Sequence, residues 1–314
     1  MQTSTTTATR VRLPNKWRPR DYQTALWTYL ERGGLRADVA AHRRWGKDEI
    51  ALHHAAAQAH TRVGVYWHML PETGQARKAI WDAVNPHTGR KRIDEAFPLH
   101  LRATTKDAEM LIRFNNGSVW QVVGSDNYNS LVGASPVGVV FSEWALAKPD
   151  AWTYIRPILA ENGGTALFLW TPRGRNHATR SFEARAADPS WFTLRSPATQ
   201  TDVFTPQQLA KERADLVAET GSAEEGEARF STEYLVDFDA ATPGAYYGTV
   251  LREAGEAGRI ARVPHDPALK VDTAWDLGVA GVAVFWAWCA RSAPWLAAGM
   301  TAFLAGLGLK AGSR

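Results

Sequence analysis

AHRRWGKDE (41–49) decides the fold, because of what stands on either side of it. Before it, RADVAA (36–41) reads as a short buried strand; after it, residues 48–60 have helical composition. A strand, a tight loop ending in Gly-Lys and then a helix make the geometry of a phosphate-binding loop, in which backbone N–H groups and a helix N-terminus surround one anion. The pattern here is A-x-x-x-x-G-K-D, which departs at both ends from the usual G-x-x-x-x-G-K-[ST]. Gly46 lets the backbone approach closely, and Lys47 supplies a cation for β- and γ-phosphates. Asp48 stands where a hydroxyl would meet Mg²⁺. A carboxylate there can hold the ion directly or through water, but it repels an uncovered phosphate. Standing alone, the stretch also fits a helix start that happens to carry a Gly-Lys pair.

Working outward, strands and helices alternate. DYQTALWTYLER (21–32) places Tyr22, Leu26, Tyr29 and Leu30 on one helical face, and Gly33-Gly34 ends it. VGVYWHML (63–70) is a β-rich run closed by Pro71, and ETGQARKAIWDAV (72–84) reads as a helix. MLIRFNNGSVWQVVG (110–124) reads as a hairpin turning at Asn115-Asn116-Gly117. GVVF (138–141) and TALFLW (165–170) are compact apolar runs of buried-strand type, with a helix predicted over 150–162 despite Pro157. The expectation is an α/β fold, a mainly parallel sheet flanked by helices.

Three further stretches carry chemistry. GVVFSEWAL (138–146) is an apolar strand ending in Ser142-Glu143, where Glu143 can polarise an attacking water as general base. Ser142 occupies the place of a Mg²⁺-associated aspartate, so Asp48 adds a carboxylate on the metal side while Ser142 removes one; the two departures read as compensating. LFLWTPRGRNH (167–177) runs from a buried strand into a polar loop with Thr171, Gly174 and Asn176, a place for a γ-phosphate sensor or for an ordinary Pro/Gly loop. WRPRDYQ (17–23) offers Gln23, whose amide can read an adenine edge or lie on a helix surface.

Composition sets looser bounds. The 314 residues are 45% hydrophobic and 22% charged, ordinary for a globular protein, with a net charge of +4 that permits a nucleic-acid partner without requiring one. Residues 1–20 hold Arg10, Arg12, Lys16, Arg18 and Arg20 and no acid, a solvated arm or a phosphate contact. The single cysteine, Cys289, excludes an internal disulfide. The Ser/Thr-rich start lacks the apolar core of a secretory signal.

Taken in order, WRPRDYQ, AHRRWGKDE, VVFSEWAL and WTPRGRNH resemble the adenine-binding, Walker A, Walker B and coupling motifs of the large terminase subunits of tailed bacteriophages. EYLVDFDAATPGAYYG (233–248) resembles that family's passage from ATPase to nuclease, and DTAWDLGV (272–279) the first strand of its RNase H-like nuclease. The resemblance implies a P-loop NTPase that hydrolyses ATP with Mg²⁺ to move double-stranded DNA into a preformed capsid. It implies that Arg44, Trp45, Gly46, Lys47 and Asp48, with Gln23, bind nucleotide, and that Glu143 activates water. Arg43 or Arg44 would act as an arginine finger within the chain, Thr171 and Asn176 as coupling residues, and Asp276 as the first nuclease metal ligand. The partners it implies are a portal on the prohead, a small terminase subunit and further copies in a homo-oligomeric ring, in the host cytoplasm and transiently at the capsid portal, with no membrane. Other readings of the motifs are a different DNA-dependent translocase or helicase, or a silent nucleotide-binding relic.

The domain expectation is a disordered arm over 1–11, an ATPase domain over 12–245, a linker over 246–268 and a truncated nuclease start with an apolar tail over 269–314. After Asp276 the sequence has no Asp, Glu or His. Two cations about 4 Å apart need several negative ligands, so nuclease activity is not expected. The apolar stretch over 282–309 reads as a shifted reading frame or truncated gene, as a short strand pair packing on the linker, or, interrupted by Arg291 and Pro294, as a membrane-associating segment.

Overall fold

Apolar runs with no polar alternation need cover on both faces, and the strands they form share one sheet. The computed structural model describes residues 17–131, 133–240, 253–259, 271–278 and 281–288, and the chain divides into two compact units, 1–248 and 249–314.

In chain order, the first unit has a 3-10 turn (Asp21–Gln23), α1 (Thr24–Glu31), β1 (Arg36–Ala41), α2 (Lys47–Thr61), β2 (Val65–Leu70), α3 (Thr73–Ala76) and α4 (Arg92–Ala96). There follow β3 (Arg102–Lys106), β4 (Leu111–Phe114), β5 (Val119–Gly124), β6 (Pro136–Ser142), α5 (Pro149–Glu161), β7 (Thr165–Trp170), α6 (His177–Ala186), β8 (Phe192–Ser196), α7 (Pro206–Thr220) and α8 (Ala223–Tyr234). The sheet order is β3-β4-β5-β2-β6-β7-β1-β8. From β5 to β8 neighbouring strands are parallel, while β4 and β3 close the edge antiparallel. This is the expected mainly parallel α/β sheet.

The predicted hairpin turns at Asn115–Gly117, with Gly117 at φ 93°. Residues 72–84 are a shorter helix than expected: α3 passes into a π-helical turn (Arg77–Trp81) and ends there, burying Ile80 and Trp81. Pro157 sits inside α5, and both it and Thr153, whose carbonyl loses its helical partner, are exposed to water.

One side of the sheet packs Met69, Phe141, Trp144, Phe168 and Trp170 in a single cluster. A second gathers Leu26, Val39, Ile50 and Leu169 with the helices α1 and α2. Because the central strands run parallel, the chain leaves β6, β7, β1 and β8 at the same edge of the sheet. The loops after Ala41, Ser142 and Trp170 therefore lie side by side, where ligands of open α/β sheets bind.

In the second unit, β9 (Val271–Gly278) and β10 (Gly281–Trp288) form an antiparallel pair, with Asp276 opposite Ala283. The beginning of the apolar end, 281–288, is thus a strand paired with the one before it. The arm over 1–11, the segments 241–248 and 261–267 and the rest of the tail lie outside the described residues. Among the described residues, no helix is long and apolar enough to cross a membrane.

One pairing under the site is invisible in the sequence. Asp38, in the middle of β1, is fully buried, and Arg185 of α6 reaches it at 2.6 Å while Trp170 Nε1 donates to it at 2.7 Å. The guanidinium also lies 3.8 Å from the Phe168 ring centre and 4.3 Å from that of Trp191. Removing one partner of a buried pair leaves the other charge uncompensated. We expect Arg185→Ala to lose about 3–5 kcal/mol of stability in urea unfolding; a loss below about 1 kcal/mol would mean the pair contributes little to the fold.

Candidate active site

The loop between β1 and α2 is shaped by two left-handed residues, Arg44 at φ 69° and Gly46 at φ 88°. Gly46 caps α2 without a side chain, so the first-turn N–H groups of a 15-residue helix face the loop. From below, Gln23 and Tyr22 grip the loop: Gln23 Nε2 donates to the Trp45 carbonyl at 2.8 Å and the Tyr22 hydroxyl to the same oxygen at 3.2 Å. A Cβ on residue 46 would meet Gln23 Nε2 at 2.9 Å. His42 holds the other side, its Nδ1 2.6 Å from the Arg43 carbonyl and its Nε2 3.0 Å from Thr201 Oγ1. Burial pushes the His42 pKa down to about 4, so it is neutral at neutral pH.

Lys47 is buried, and its ammonium donates to the carbonyls of Ala41 (3.3 Å) and His42 (3.2 Å) and to Thr171 Oγ1 (2.7 Å). Thr171 in turn donates to the Ala41 carbonyl at 3.0 Å. Burial lowers the Lys47 pKa, while Glu143, Asp48 and Glu233 push it back up. Asp48 accepts from Ser142 Oγ at 2.6 Å and from His68 Nε2 at 3.2 Å, both on Oδ1. Burial alone would raise its pKa, but the His68 and Ser142 hydrogen bonds and the Lys47 charge together hold it below the usual carboxylate range. Glu143 follows β6 in a left-handed conformation, φ 52°, and is pushed the opposite way: burial raises its pKa against the pull of Lys47.

The structure thus brings together Lys47, Asp48, Glu143 and Thr171, with Ser142 hydrogen-bonded to Asp48. Asn176 joins them indirectly: it caps α6 by accepting from the Ala178 N–H at 2.9 Å and donates to the Ala145 carbonyl at 3.0 Å, holding the turn after Glu143. Gln23 is 2% exposed and commits its amide to the protein, since Oε1 accepts from the Arg20 N–H at 3.1 Å. In this structure the amide supports the loop. The Trp45 indole is fully buried and donates to Ser196 Oγ at 2.9 Å, so the side chain anchors the loop from inside. Arg43 and Arg44 are exposed, and Arg43 Nη1 lies 3.5 Å from Glu233 Oε2. Asp276 sits on β9 in the other unit.

Three residues of the site escape sequence reading. His68 lies hidden inside the apolar run of β2. Arg173, one residue beyond Pro172, pairs with Glu233 of α8. Glu233 stands in a string whose sequence suggests only an inter-domain passage.

The donors fit a nucleotide with Mg²⁺. The ion takes one or two carboxylates and completes its shell with water and phosphate oxygens, and Asp48 is a carboxylate fixed beside the lysine and the free helix N-terminus. Among the described residues, no group of three or more His, Cys, Asp or Glu side chains gathers as an all-protein metal cage.

No family model matches the sequence, and no curated protein does. Solved structures match in fold. The large terminase ATPase domain of Thermus phage P74-26 superposes with a TM-score of 0.51 at 19% identity, over 71% of this chain and 100% of that one. The large terminase of a second, thermophilic bacteriophage gives 0.55 at 13% identity, over 87% of this chain and 66% of that one. The complex of that same terminase with ADP gives 0.54 at 14%, over 86% and 65%. The chain therefore spans just under two thirds of this second terminase. The shared architecture is an α/β fold with a mainly parallel sheet flanked by helices.

The loop geometry makes one direct prediction. Gly46→Ala should cost about 1–2 kcal/mol in urea unfolding for the left-handed backbone, and the Gln23→Ala, Gly46→Ala double variant should recover only the steric share. Full recovery in the double variant would show that backbone conformation is not the constraint.

Proposed function

We propose that this chain is the ATPase part of a phage large terminase subunit and hydrolyses ATP to drive double-stranded DNA into a preformed capsid. The observation that carries the reading is the joint position of Lys47 and Asp48 at the start of α2, Thr171 after β7 and Glu143 after β6, at one edge of the parallel sheet, in a fold shared with terminase ATPase domains. In this reading Lys47 and the α2 N-terminus bind the phosphates. Asp48, steadied by Ser142 and His68, would hold Mg²⁺, which supplies charge neutralisation of the phosphate oxygens when bound.

Glu143 suits a general base because its environment raises its pKa toward neutrality, while Asp48 beside it stays ionised. Lys47 reaches a phosphate by exchanging its Thr171 contact, which links nucleotide binding to the loop over 171–176. The partners we propose are double-stranded DNA, a portal on the prohead, a small terminase subunit and other copies in a ring, met in the host cytoplasm and at the capsid portal. We further propose an arm over 1–11, an ATPase domain over 12–245, a linker over 246–268 and a nuclease start from 269.

Purified protein with MgATP tests the reading. Lys47→Ala should abolish both nucleotide binding and phosphate release. Glu143→Gln should lower kcat by about 10²–10⁴, the range of general base catalysis, while leaving MgADP affinity near wild type. Since the base must be deprotonated and its pKa is raised above 4.5, the acid limb of kcat should lie above pH 4.5 and vanish in Glu143→Gln. Hydrolysis that survives both substitutions would defeat the proposal.

We also propose that the chain does not cut DNA, since Asp276 is followed by no Asp, Glu or His. Supercoiled plasmid with Mg²⁺ or Mn²⁺ should stay intact. Cleavage abolished by Asp276→Ala would reverse this.

A further inference from the structure

Glu233, near the end of α8, receives two arginines from two different loops. Arg173 Nη1 donates to its Oε1, and Arg43 Nη1 lies 3.5 Å from its Oε2, with the Arg43 backbone N–H donating to the Glu233 carbonyl at 2.9 Å. The carboxylate is nonetheless incompletely satisfied, because Oε2 is buried without a hydrogen bond of good geometry. Arg173 is the more buried of the two, its side chain 33% exposed against 63% for Arg43. It stands two residues beyond Thr171, whose Oγ1 holds the Lys47 ammonium at 2.7 Å. Its charge acts on Lys47 and on Glu143 alike.

A guanidinium two residues from the threonine that holds the phosphate-loop lysine has two possible anionic partners of matching geometry, a carboxylate or a phosphate. On the ATPase reading above, we propose that Arg173 binds the terminal phosphate of a nucleoside triphosphate and that Glu233 is its alternate partner. The terminal phosphate and α8 then compete for one arginine. A diphosphate leaves Arg173 with Glu233, whereas a triphosphate draws it away and frees the junction of α8 with both loops. Arg173 therefore reads the third phosphate, and Glu233 sets how much binding free energy that reading consumes. The exposed Arg43 and Arg44 are displaced from the finger role by a residue that lies deeper and acts on both reacting groups.

Competition has a sign that mere structural support lacks. Equilibrium titrations with fluorescent ATPγS and ADP, both with Mg²⁺, would compare wild type, Arg173→Ala, Arg173→Lys, Glu233→Gln and the Arg173→Ala, Glu233→Gln double variant. We expect Arg173→Ala to weaken ATPγS binding by about 10- to 100-fold, the worth of a charge-assisted contact, with ADP affinity unchanged and Arg173→Lys intermediate. Glu233→Gln should tighten ATPγS binding several-fold and have no effect when Arg173 is already Ala. Weaker or unchanged ATPγS binding in Glu233→Gln, or equal loss of ATPγS and ADP in Arg173→Ala, overturns the competition while leaving the ATPase reading in place. Wild-type protein that binds neither nucleotide, indistinguishable from Lys47→Ala, overturns both.

Discussion

Everything at the candidate site depends on keeping one ammonium group out of water. A buried lysine is costly unless each of its three donors finds an acceptor, and Lys47 finds the Ala41 and His42 carbonyls and the Thr171 hydroxyl. Two of those acceptors close the end of β1, and the third comes from the end of β7, its neighbour in the sheet. The requirement therefore fixes the loop after β7 against the loop after β1. Glu143 follows β6, on the far side of β7. Thr171 stands between the cation and the candidate base because the strand order puts it there.

The same cation sorts the acids around it. Asp48 and Glu143 both feel Lys47, yet their pKa values move in opposite directions. Burial acts on both, and hydrogen bonds decide the outcome. Asp48 accepts from Ser142 and His68, which stabilise its charged form, whereas burial dominates at Glu143 and Asp48 adds like-charge repulsion. Two carboxylates separated in this way are suited to different chemical duties, the one with the lowered pKa to holding charge and the one with the raised pKa to accepting a proton. The exchange of a hydroxyl for Asp48 and of an aspartate for Ser142 makes sense as one change. The two residues that depart from the usual motifs are hydrogen-bonded to each other, Ser142 Oγ donating to Asp48 at 2.6 Å.

Much of this is legible in the sequence because parallel strands covered on both faces read as unbroken apolar runs, and RADVAA and TALFLW became β1 and β7 with the expected bounds. The loops that follow such runs are recognisable by Gly46-Lys47, Ser142-Glu143 and Thr171. What stays hidden pairs across long stretches of chain. Asp38 meets Arg185 across 147 positions and Arg173 meets Glu233 across 60, and no local pattern records such meetings. His68 is concealed differently, as one polar residue inside a run whose overall character says strand. For Gln23 the sequence shows an amide near a helix start; its partners in the structure, the Trp45 carbonyl and the Arg20 N–H, become apparent only once the loop has a shape.

That shape is strained, and the way the strain is held explains why the loop after β7 matters most. Arg44 and Glu143 are non-glycine residues in the left-handed region, each at a cost of about 1–2 kcal/mol that neighbouring contacts must offset. For Glu143 the restraint comes from the turn that follows it. Asn176 Nδ2 donates to the Ala145 carbonyl at 3.0 Å, and His177 Nε2, neutral because burial lowers its pKa, donates to the Trp144 carbonyl at 2.8 Å. The segment over 171–177 therefore touches the lysine through Thr171, α8 through Arg173 and the turn after Glu143 through Asn176 and His177. Seven consecutive residues thus gather contacts to Lys47, to α8 and to the turn after Glu143 into one loop, and its hydrogen bonds join three parts of the site.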